Sequence, residues 1–122
     1  MIIIRIPAPC EFINANVSLH RMAKAKLTKT WRQAAWVACR NIGPLNPPVR
    51  IIAHIHKPRS GRWDPNNYAP TTKACIDGLV DAGLLPDDSW REVTGPDHRR
   101  GETGPAAITL TITQEPRPTK EG

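Results

Sequence analysis

The chain has 122 residues, enough for one domain with a core that needs no staples. Its hydrophobic content of 39% and charged content of 23% exclude an intrinsically disordered chain, and no apolar run approaches the roughly 20 residues that span a bilayer. A net charge of +6 and a sequence pI near 9.7 point to a polyanionic partner.

Three cysteines, Cys10, Cys39 and Cys75, lie far apart without a C-x-x-C pair. Neither a disulfide framework nor a zinc cluster is indicated, and free, mostly buried thiols are expected. Met1 to Ile6 is too short and wrongly flanked for a signal peptide, so a cytoplasmic location is expected. The same β-branched run, ended by Pro7 and Pro9, predicts the first strand. Phe12 to Val17 reads as a loop delivering the chain to a helix, with Ser18 as candidate N-cap.

The longest helical pattern runs from Leu19 to about Asn41 and is closed by Gly43 and Pro44. Leu19, Met22, Ala23, Leu27, Trp31, Ala34, Ala35 and Ala38 give an apolar stripe, while Arg21, Lys24, Lys26, Lys29, Arg32 and Arg40 decorate the rest. A solvated lysine-rich face would normally bring glutamates for i,i+4 pairs. None is present, which favours phosphate binding by Lys24, Lys26, Lys29 and Arg32. Trp31 and Trp36 sit among alanines and read as core or subunit contacts. After a Pro-rich connector, Val49 to His56 alternates as a strand with one apolar and one mixed face. His54 and His56 share the mixed face, where a sheet-surface or DNA-facing role outweighs a transition-metal one. Lys57 to Trp63 is a basic loop. It is read either as a phosphate contact through Arg59 and Arg62, with Trp63 stacking on a base or wedging into DNA, or as a solubilising turn with Trp63 packed inward.

The stretch from Arg62 to Ser89 holds five of the six aspartates. Between Pro70 and Gly83 the pattern is helical and apolar nearly all round, so the helix should be largely buried. Lys73, Asp77 and Asp81 stack on it at i, i+4 and i+8 in one polar stripe. Asp64 precedes the helix, and Asp87 and Asp88 follow the Gly83 stop and the Pro86 turn. Singly, these acids read as a turn opener at Asp64, an i,i+4 pair at Lys73 and Asp77, and caps at Asp87 and Asp88. Together, in a basic protein, they form the hard oxygen set that suits Mg²⁺ or Mn²⁺. An acidic metal pocket on a basic surface is the layout of a nuclease.

The order Asp64, Asn67, Lys73, Asp77, Gly78-Leu79, Ala82-Gly83, Asp87-Asp88 resembles the signature of the RusA-like Holliday junction resolvases, often phage-encoded. The resemblance implies a homodimeric, Mg²⁺-dependent endonuclease that cuts four-way DNA junctions by paired nicks, in the host cytoplasm if phage-encoded. It implies that Asp64 and Asp88 are metal ligands, that Lys73 is required for cleavage, and that Asp77 is the acid within the same helix. Asn66 stands where the commoner pattern has a second aspartate, and about three residues are inserted between Asn67 and Lys73. Asparagine offers a neutral carbonyl oxygen but no charge. This leaves open a weaker site, or one that recruits Asp77 or Asp87.

Trp90 to Thr94 reads as a strand and Gly95 to Pro105 as a polar loop, in which Arg99 and Arg100 are candidate DNA contacts. Ala107 to Thr113 alternates as a half-buried last strand. The order β, α, β, α, β, β predicts an α+β domain over residues 1–114, a small mixed β-sheet with two α-helices on one face, followed by a disordered tail at 115–122. A flap or fork nuclease, a non-catalytic branched-DNA-binding protein and a structural protein docking an acidic partner are the competing readings.

Overall fold

The computed structural model describes residues 1–87, Ser89 and 91–115. In chain order the elements are β1 (Ile2–Pro7), α1 (Arg21–Cys39), β2 (Val49–His56), a short 3-10 turn (Pro65–Tyr68), α2 (Ala69–Asp81), β3 (Val93–Arg100) and β4 (Ala107–Gln114). The four strands form one sheet in the order β1-β4-β2-β3. β4 runs antiparallel to both β1 and β2, whereas β2 and β3 are parallel, so the sheet is mixed. A parallel pair cannot be closed by a hairpin, and the 3-10 turn with α2 is the crossover.

Alternation in the strands decides which face is buried. Val49, Ile51, Ala53 and Ile55 of β2 point to the same side as Ile108, Leu110 and Ile112 of β4 and Ile4 and Ile6 of β1, and all are buried. Both helices cover that side. α1 contributes Trp31, Ala35 and Cys39, and α2 contributes Ala74, Cys75, Ile76 and Leu79. Where they cross, Gly78 is indispensable: a Cβ there would lie 2.3 Å from the Arg32 carbonyl oxygen and 2.8 Å from the Ala35 Cβ. The all-round apolar wheel of α2 is thereby explained, since its backbone touches α1 on one side and the sheet core on another. Gly83, at φ +82°, ends the helix, with Leu84 N–H donating to the Leu79 carbonyl at 3.0 Å.

The structure corrects three sequence expectations. α1 begins two residues later than the periodicity suggests and is capped by His20, whose Nδ1 accepts from Met22 N–H at 3.2 Å, not by Ser18. Trp36 is 39% exposed, which removes the core alternative for it and leaves the subunit-contact one, whereas Trp31 is fully buried and donates from Nε1 to the Glu11 carbonyl. The third strand is Val93–Arg100, running through residues expected as loop. Its pattern is hidden by a bulge: Arg50 pairs with Thr94 and Ile52 with Asp97, so Gly95 and Pro96 together face Ile51. Gly95 sits at φ +98°, and a Cβ would meet the Ile51 carbonyl oxygen at 2.6 Å. As an edge strand β3 tolerates proline and polar residues that an inner strand would reject. The expected tail lies, apart from Glu115, outside the described residues, as do Asp88 and Trp90.

Candidate functional site

The 3-10 turn and α2 present the acidic segment. Asp64 is exposed and opens the turn: its Oδ1 accepts from Asn66 N–H at 2.9 Å and its carbonyl from Asn67 N–H at 3.0 Å. Among the described residues its Oδ2 receives no hydrogen bond, and Asn66 points to solvent. The turn is tied down by Ala15 N–H, which donates to the Asn67 carbonyl at 2.7 Å, and by the mutual bonds between Ile13 and the buried Thr71 hydroxyl.

Along α2 the polar stripe is used up in pairs. Lys73 Nζ contacts Asp77 Oδ1 at 2.9 Å, the i,i+4 pair legible in the sequence. Asp81 takes Arg32 Nε and Nη2 at 2.5 and 2.7 Å in a bidentate clamp between the two helices. That hydrogen bond holds the Asp81 carboxyl below the usual range and pushes the guanidinium up. Arg32, expected on DNA, is thus engaged by α2, whereas Lys24, Lys26 and Lys29 stand exposed on α1 with no carboxylate partner among the described residues. Asp87 is exposed, and Asp88 lies outside the described residues. Among the described residues no three His, Cys, Asp or Glu side chains come together as metal ligands would.

His98, not among the residues expected at the site, also belongs to this region. It pairs in register with Ala53 and reaches α2, its Nε2 lying 2.7 Å from the Thr72 hydroxyl. Thr72 spends its own proton on the Ala69 carbonyl at 3.0 Å, so His98 Nε2–H must be the donor. Burial pushes the imidazole pKa down, against the opposing pull of Asp97 and Asp64. Period-2 alternation through His98 and Arg100 was the available signal, masked by the Gly95-Pro96 bulge.

The basic loop is organised by aromatic rings. Trp63 meets Tyr68 edge-on at 5.7 Å, Tyr68 meets Phe12 at 5.3 Å, and Phe12 stacks on buried Trp31 at 5.4 Å. Lys57 Nζ donates to the Tyr68 hydroxyl at 2.8 Å and sits 5.0 Å from the Trp63 centroid. The Arg100 guanidinium lies 4.6 Å from the same centroid and donates to the Gly61 carbonyl at 2.7 Å. Among the described residues none of Lys57, Arg59, Arg62 and Arg100 is paired with a carboxylate. By contrast Arg50 of β2 and Arg99 of β3 share Asp97.

No family model matches this chain, and no curated protein does. What the geometry offers chemically is a group of cations, without carboxylate partners among the described residues, running directly into Asp64 and, beyond it, into α2.

Proposed function

We propose that the protein is a metal-dependent structure-specific endodeoxyribonuclease of the RusA-like kind, acting as a homodimer on four-way DNA junctions. The observation that supports it best is the division of charge. Lys57, Arg59, Arg62 and Arg100, none of them paired with a carboxylate among the described residues, gather at the loop preceding Asp64, and five of the six aspartates follow within the stretch to Ser89. A phosphodiester drawn to the cations would arrive beside carboxylates.

In this reading Asp64 offers Oδ2, which receives no hydrogen bond among the described residues, to Mg²⁺, with Mn²⁺ as a substitute. Asp88 and either Asp77 or Asp87 complete the ligand set. The metal, when bound, lowers the pKa of a water and offsets phosphorane charge. Lys73, next to Asp77, stays protonated and faces the scissile phosphate as a charge rather than as a base. Lys24, Lys26 and Lys29 hold the backbone of an arm. A two-fold dimer would then nick both strands across a symmetric branch point.

The test is a nicking assay on a synthetic four-way junction beside linear duplex, with Mg²⁺, Mn²⁺ or EDTA. Paired cuts that need the metal and the junction are expected. Junction binding with no cutting in either metal would replace this reading by that of a non-catalytic branched-DNA-binding protein, and preferential cutting of flaps or forks would move the substrate to those branches.

A further inference from the structure

We infer that the cavity framed by Lys57 to Trp63 is a seat for one backbone phosphodiester of the bound strand, and that Trp63 is its wall, not a residue that stacks on a base or wedges into the junction. This rests on the nucleic-acid reading above but not on cleavage. The cavity measures about 370 Å³ and is lined by Lys57, Pro58, Arg59, Ser60, Gly61, Arg62 and Trp63. Room of that size takes a phosphate with part of its sugar.

The chemistry of the lining selects the ligand. Lysine, arginine and indole side chains donate hydrogen bonds and accept none, and no carboxylate lines the cavity. Trp63 supplies a second, independent sign. Its Nε1 is the one buried side-chain nitrogen or oxygen, among the described residues, that finds no partner. A buried donor left without an acceptor is costly, and because this nitrogen has almost no accessible surface, an anion in the cavity would reach it only after a small turn of the ring. The Trp63 ring is not open to a nucleobase, because Lys57 Nζ and the Arg100 guanidinium already lie over it and Tyr68 abuts it. A base could stack only by displacing a cation. Phosphate needs no such displacement, since Lys57, one of the two cations at the ring, itself lines the cavity together with Arg59 and Arg62.

The loop is also preformed. Gly61 adopts φ +151°, and its carbonyl is held by Arg100 from β3. A seat fixed in advance contacts phosphate and sugar in any sequence, so it contributes register along the strand and no base preference.

The experiment follows the Trp63 indole N–H by NMR in the full chain without metal, the resonance being assigned by its absence in Trp63→Phe. Three probes are titrated at constant ionic strength: inorganic phosphate, the dinucleoside monophosphate of thymidine, and thymidine alone. We expect a saturable shift of the Trp63 resonance with the dinucleoside monophosphate, none with thymidine, and binding at least tenfold weaker in Arg59→Ala/Arg62→Ala. A shift with thymidine would mean base stacking and would overturn the proposal. So would a response to inorganic phosphate alone, which would mark a free-anion site, or an unchanged affinity in the double variant. Because no metal or cleavage enters, failure here leaves the nuclease reading standing, and loss of the nuclease reading leaves this seat testable.

Discussion

At the scale of single residues, two side chains carry consequences beyond their neighbourhood. Asp81 is charged and clamped by Arg32 at a surface where water still screens the pair, so Asp81→Asn should cost only about 0.5–1 kcal/mol in urea denaturation at pH 7. Its native pKa is depressed, so the contribution is present above the unfolded value and lost as pH falls through the native one. The variant should accordingly show a flatter acid limb. An equally steep limb would mean that the clamp does not form in solution. His98 acts with the same pH sense for another reason. Its native pKa is lowered by burial, so below about pH 6.5 the unfolded chain takes up the proton first and stability declines as pH drops. NMR titration should place its native pKa below the ordinary histidine value, and a value above that would contradict burial as the dominant influence on this imidazole.

At the scale of elements, the decisive contact is the crossing of α1 and α2. Gly78→Ala should destabilise the protein by about 2–3 kcal/mol, because the added methyl meets backbone at Arg32 that cannot swing aside. A loss under about 0.5 kcal/mol would show that the helices sit further apart. Much of this architecture is legible in the sequence. Val49 to His56 alternates without a break and forms a strand with those bounds, and Ala107 to Thr113 differs by a single residue. The apolar wheel of α2 correctly marks a buried helix. β3 was hidden because a bulge at Gly95-Pro96 resets the two-residue period and because an edge strand need not be apolar. At the site, Asp64 and the Lys73–Asp77 pair follow from local spacing. Arg32–Asp81 and Thr72–His98 join residues 49 and 26 positions apart, and nothing short-range encodes such pairs.

At the scale of the molecule, two groups of cations stand out, one on the exposed face of α1 and one in the loop before Asp64. Among the described residues no helix is long and apolar enough to cross a membrane. If both basic regions hold phosphates, junction affinity must fall steeply with salt, by nearly one unit of log–log slope per phosphate contact. Replacing Lys24, Lys26 and Lys29 together with alanine should then lower that slope by about 2–3 while leaving the fold intact by circular dichroism. An unchanged slope would assign α1 to a protein partner instead. The decisive question is whether the acidic segment cuts what the basic surface holds. The most direct measurement compares wild type with Asp64→Asn and Asp88→Asn for both binding and Mg²⁺-dependent nicking of a four-way junction. We predict that each variant still binds but cuts at least about 100-fold more slowly, the loss expected when metal-assisted hydrolysis loses a ligand. Nicking that survives both substitutions unchanged would contradict the assignment.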